Sequence, residues 1–131
     1  MKTLIRFIVA FALVVMMSQA AKAQPANQTE KEYNQFLISA LNDSNPGIRG
    51  SAVELLGQRK VQEAADSLIS MLNTEQHNGV RILVALALYN IGDTKALPAL
   101  KKASQHDKCS SVRHVARGIV RKMEIVEIAV K

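Results

Sequence analysis

His106, Asp107, Cys109 and His114 lie within nine residues of one another, and all four are side-chain types that bind metals. A zinc site usually takes four ligand atoms at about 2.0–2.3 Å, drawn from recognisable spacings, and this segment has none of them. Ser110 and His114 stand four apart on one predicted helix with Asp107 just before it, the residue types of a nucleophilic triad. A triad also needs an oriented base and an oxyanion hole in a cleft, and the G-x-S-x-G elbow is absent. Serine and aspartate are equally the residues a helix start selects. The segment reads as a helix boundary, with no catalytic residue, no metal site and no cofactor expected. A small metal-binding or enzymatic protein built on it is the more distant alternative.

Asp107 belongs to a second pattern. An acid, five positions and an arginine recur thirty-two residues apart, as Asp43…Ile48-Arg49, Glu75…Val80-Arg81 and Asp107…Val112-Arg113. Without a gap, Gly47 falls on Gly79, Leu56 on Leu88, Ala64 on Ala96 and Leu68 on Leu100. Such a period marks a solenoid, whose units stack on their neighbours. Ile48, Ala52, Leu55 and Leu56 form one apolar stripe at helical spacing, and Val61, Ala64, Ala65, Leu68 and Leu72 the next, so each unit is a helical hairpin. Each acid is expected to accept hydrogen bonds at a helix start and to pair with a nearby arginine, giving a ladder along the stack. Arg49 and Arg81 are thus structural residues.

Boundary chemistry follows the same units. Asn45-Pro46 reads as N-cap and first helical residue. Gly57 and Gly92 sit near first-helix ends, and Thr94 is placed to cap the second helix of the second unit, with Pro98 in its first turn. Thr29-Glu30-Lys31-Glu32 reads as a capping box opening a helix that runs to about Asn42. One period along, Phe36 falls on Leu68 and Leu100, which makes this helix a half-unit. The third unit is truncated after Arg121-Lys122, and the apolar tail Ile125 to Val130 is expected to fold back over the open end, the alternative being a strand or helix left available to a partner.

These residues resemble the HEAT repeat in its short bacterial form. Val80-Arg81, Ala85, Leu88, Gly92-Asp93, Ala96-x-Pro98 and Leu100 carry the likeness most fully. The first copy keeps Ile48-Arg49, Ala52, Leu56-Gly57, Ala64 and Leu68, and the third keeps Val112-Arg113 and Ala116. The resemblance covers roughly 43–122, with 30–42 as a degenerate cap. It implies an all-α, HEAT-like α-solenoid of stacked hairpins, about two full repeats with partial repeats at both ends. It also implies a binding or scaffolding role, because such arrays serve mainly as interaction surfaces. Second helices line the concave face in this family. That puts Glu63, Asp66 and Ser70 beside Lys95, Ala99 and Lys102, a partner-binding surface that Arg117 and Arg121 extend.

The first residues bear on the compartment. Lys2 and Arg6, the apolar run Phe7 to Met17, and Ala21-Lys22-Ala23 form a secretory signal with cleavage expected before Gln24. The organisation expected is a signal peptide at 1–23, a short linker at 24–29 and the repeat domain at 30–131, in a periplasm or secreted. Three of the six net positive charges, Lys2, Arg6 and Lys22, lie in that segment. From Gln24 to Thr94 acids outnumber bases eight to five, and from Lys95 onward bases lead nine to three. The domain is polarised end to end. Cys109 is the one cysteine, so no intramolecular disulfide forms. Beyond the signal the aromatics are Tyr33, Phe36 and Tyr89, too few for a base-stacking platform, so no nucleic acid is expected. Another envelope or secreted protein is the expected partner. Weak contact with an anionic membrane through the basic C-terminal end is the alternative, and homodimerisation a third outcome.

Overall fold

A computed structural model describes residues 26–130 of the chain. The expected signal peptide at 1–23 lies outside the described residues. Among the described residues six α-helices follow one another: α1 Ala26–Ala40, α2 Pro46–Gln58, α3 Ala65–Thr74, α4 Asn78–Ile91, α5 Leu97–His106 and α6 Ser110–Val130. Single 3-10 turns, Gln62–Ala64 and Thr94–Ala96, lead into α3 and α5. No strand occurs among the described residues. The boundary between the chain's two compact units falls inside α1, after Tyr33. The packing that follows belongs to the unit from Asn34 onward.

The helices follow the thirty-two-residue period: α2, α4 and α6 are the first helices of successive units and α3 and α5 the second. In space α2 packs on α4 and α4 on α6, while α3 lies against α4 and α5 against α6. Leu56, Leu68, Leu88 and Leu100, one per helix at matched repeat positions, are fully buried. Val53, Val84, Ala85 and Ala116 belong to the same buried core. Each buried leucine removed from water contributes about 1.5–3 kcal/mol, so the stacked leucines hold successive hairpins together. First helices approach closely: a Cβ at Gly57 would lie 2.7 Å from the Ala87 Cα. A larger residue there would force α2 and α4 apart.

The caps divide between agreement and shift. The Asn45 side chain accepts from the Gly47 N–H at 2.8 Å and Pro46 opens α2, as expected. Gly92 ends α4 in the left-handed region at φ 77°. Gly57, by contrast, stays helical; the positive φ after α2 falls on Lys60, at 52°. Asp93, not Thr94, caps the second unit's 3-10 turn, its carboxylate accepting from the Lys95 N–H at 2.9 Å. Thr94 is the turn's first residue. α1 begins at Ala26, so Thr29 is inside the helix and the linker expected at 24–29 is helical from Ala26. Ala26-Asn27-Gln28 contains no helix breaker, and the helix starts a turn earlier.

Three apolar expectations fail at the ends. Phe36 is exposed and Leu37 is buried in its place, a one-residue offset in a half-unit that has no first helix among the described residues to hold the register. Ile48 is 46% exposed, whereas its equivalents Val80 and Val112 are 4% and 0% exposed. Val80 lies against α2, near Gly50; among the described residues no first helix precedes α2 to cover Ile48. The tail does not fold back. It prolongs α6 to Val130, leaving Ile125, Val126, Ile128 and Val130 exposed.

Candidate functional site

The repeated acids and arginines meet across units rather than within them. Arg49 forks onto Glu75 of the next unit, Nε to Oε2 at 2.7 Å and Nη2 to Oε1 at 2.8 Å. Its third arm, Nη1, donates to the carbonyls of Asp43 and Ser44 at 2.9 and 3.0 Å. Arg81 repeats this: Nε and Nη2 donate to the two Asp107 oxygens, each at 2.8 Å, and Nη1 to the Glu75 and Gln76 carbonyls. Each acid also caps its own loop, accepting the N–H two residues on. Asp43 takes it from Asn45 at 2.8 Å, Glu75 from His77 at 2.7 Å and Asp107 from Cys109 at 2.8 Å.

Bidentate arginine–carboxylate pairs with fixed geometry are among the stronger ion pairs. Arg81 and Asp107 are almost wholly buried, at 3% and 8% side-chain exposure. Glu75 is held at about 2, well below the usual carboxylate range, by the Arg49 guanidinium first and then by the His77 N–H, against the opposing effect of burial. Asp107 is lowered likewise, by Arg81 and then by the Cys109 N–H. Both arginines are raised by the carboxylates they grip.

This arrangement accounts for the segment whose residue types suggested chemistry. Both oxygens of Asp107 accept hydrogen bonds, from Arg81 and from the Cys109 N–H, so its carboxylate serves the ladder and the start of α6. Cys109 is half-exposed at the start of α6. Its thiol is lowered by the Val112 N–H, then by the Asn78 side-chain amide, which lies 3.5 Å from Sγ, and by the Ser111 N–H. Among the described residues no group of three or more His, Cys, Asp or Glu side chains converges to hold a metal ion.

The six residues expected to bind a partner are all exposed but stand in different settings. Glu63 lies in the 3-10 turn before α3, Asp66 in the first turn of α3, and Lys95 in the turn before α5. Lys102 lies within α5 and borders a groove of about 280 Å³ that it shares with Asn73, Gln76, His106 and Lys108. A second groove, about 500 Å³, runs between α1 and α3 and is edged by Ile38, Ser67, Ser70 and Thr74. Arg117 and Arg121 are on α6, a first-type helix, four residues apart on the side that also carries Arg113. Arg117 Nη2 donates to the Ser104 carbonyl at 3.4 Å. Lys101 pairs instead with Glu124, at 2.7 Å.

Sequence reasoning missed the direction of the ion pairs and the grooves lined by Ser67, Ser70, Asn73 and Gln76. The thirty-two-residue register carried the first signal, since an arginine six residues after its own acid has the next acid twenty-six residues ahead. Small polar residues carry no comparable signal.

Stacked helical hairpins tied by a repeating ion-pair ladder define an α-solenoid, the class of protein that presents an extended side-chain surface. A family model for HEAT repeats matches residues 34–119, and the chain belongs to that family. No curated protein matches the chain. HEAT repeats commonly mediate contacts between proteins and typically act as non-enzymatic scaffolds.

Proposed function

We propose that this chain is an exported adaptor that recognises another envelope or secreted protein through the surface of its second helices. The observation that carries this reading is the two-sided character of α3 and α5. Each buries its leucine, Leu68 or Leu100, and leaves charge outward at neighbouring repeat positions. Glu63 and Asp66 make one unit acidic, and Lys95 and Lys102 make the next basic. Polar grooves separate the successive helices and supply the relief a partner's side chains need. Arg117 and Arg121 extend the basic part. Rim charges of this kind steer association and select partners more than they add affinity.

The test is to tag the full chain in its native envelope, crosslink briefly, and identify what co-purifies. One dominant envelope protein, lost on charge reversal at Lys95, Lys102, Arg117 and Arg121 with the melting temperature unchanged, supports the adaptor. Capture indifferent to those reversals removes its electrostatic basis.

A second reading draws on α6. Its last turns carry exposed Ile125, Val126, Ile128 and Val130 directly after Arg117, Arg121 and Lys122. Apolar and basic residues together suit the surface of an anionic bilayer. Among the described residues no helix is long and apolar enough to cross a membrane. Salt-sensitive flotation with anionic liposomes, abolished by truncation after Met123, would move the assignment to this reading.

A further inference from the structure

Among the described residues the ion-pair ladder is open at both ends, and the two ends are complementary. Arg113 occupies the repeat position of Arg49 and Arg81, and its Nη1 donates to the Asp107 carbonyl at 2.6 Å as theirs do to the preceding loops. Among the described residues no acid at the next repeat position receives its remaining fork. At the other end Asp43 occupies the position of Glu75 and Asp107. Its carboxylate accepts the Asn45 N–H; Arg49 donates to its carbonyl and feels its charge, but no arginine forks onto that carboxylate among the described residues. Beside it Ile48 stands exposed at the position where Val80 and Val112 are buried under the preceding first helix.

We infer that a second copy of this chain docks head to tail, Arg113 of one copy forking onto Asp43 of the next. In that register α2 of the second copy follows α6 of the first as α4 follows α2. Ile48 is then covered by α6 as Val80 is covered by α2. Charge distribution favours the same polarity: acids lead in residues 24–94 and bases in 95–131, so unlike ends meet and like ends repel. The face of α6 that receives the second copy holds an open groove of about 470 Å³, edged by Ser110, Arg113, His114, Val115 and Arg117. Such a contact joins two different surfaces, so it propagates into a filament or closes into a ring rather than stopping at a symmetric dimer. The inference stands on the ladder alone and is independent of the adaptor reading.

Sedimentation velocity over a wide concentration range tests it, using the chain as the cell processes it from the full sequence. Wild type associates beyond a dimer, and added salt weakens the association. Asp43→Arg and Arg113→Asp each weaken it by about tenfold or more, one tenfold step corresponding to 1.4 kcal/mol. Mixed in equal amounts, the two variants associate again, because Arg113 of one meets Asp43 of the other and the reversed pair forms at the alternate junction. The double variant also recovers. Should a reversed variant fail to fold, Asp43→Asn and Arg113→Gln replace the pair, each weakening association several-fold. A wild type that stays monomeric throughout overturns the inference. So do single variants that associate like wild type, or folded single variants whose mixture stays apart.

Discussion

Arg81 and Arg113 share a residue type, a repeat position and a hydrogen bond to the carbonyl of the acid six residues before them, yet they inhabit different environments. Arg81 is enclosed by a following unit that brings Asp107 onto its fork. Arg113 is half-exposed on the outer face of α6, beside a groove that it helps to line. The residue alone therefore does not determine its role; the presence of a next repeat does. Inside the stack the arginine is a tie between hairpins. At Arg113 the same fork meets no carboxylate among the described residues.

That contrast is sharpest where one partner is removed. Arg81→Ala strands a nearly buried Asp107 carboxylate without its counter-charge, and loss of one partner of a buried pair costs about 3–5 kcal/mol. Arg113→Ala leaves no buried charge behind and shifts stability by about 0.5 kcal/mol or less, as surface substitutions do. Urea unfolding of the two variants measures the difference. Equal losses would break the distinction between closed and open positions.

A second contrast lies at Gly57, whose repeat equivalents are Tyr89 and Arg121. At Gly57 the α2–α4 contact is close, with a Cβ there 2.7 Å from the Ala87 Cα and 2.8 Å from its Cβ. Gly57→Ala would raise helix propensity by about 1 kcal/mol, but the overpacking costs about 1–3 kcal/mol. The expected outcome is a lower melting temperature. A higher one would mean that the two helices separate without loss.

The acids give the third, pH-dependent effect. The folded Glu75 carboxyl sits at about 2 against an ordinary 4.5, so its stabilisation is complete above pH 4.5 and is lost as pH falls toward 2. Asp107 acts in the same direction below its ordinary 3.8. Melting temperature should hold steady near neutrality and fall through that acid window. Glu75→Gln should flatten the fall while lowering the neutral value, and an unchanged slope would remove Glu75 from the account.

The hairpin order was legible because buried leucines and the acid–arginine spacing recur at a fixed period, and a period survives local variation. The ends were less legible for the same reason. Ile48 and Phe36 look like core residues in register, but burial depends on a neighbour that the register presumes and that no described helix supplies. The tail Ile125 to Val130 has strand-forming residues, yet it prolongs α6 because no Gly or Pro follows Arg121 to stop the helix. Thr94 and Asp93 both suit a cap; the 3-10 turn selects the aspartate by offering it the Lys95 N–H. Among candidate site residues, Glu63, Asp66, Lys95 and Lys102 were legible as outward positions. The shape of the grooves between their helices was not, since it depends on how far apart the helices stand.

The central claim concerns what each arginine fork touches, and the Nε–H signals of a 15N-labelled sample report it directly. At a concentration where the chain is monomeric, Nε–H of Arg49 and Arg81 should be protected from solvent exchange, Arg81 the more strongly, while Nε–H of Arg113 exchanges rapidly. Equal protection at all three positions, or rapid exchange at Arg81, would contradict the account.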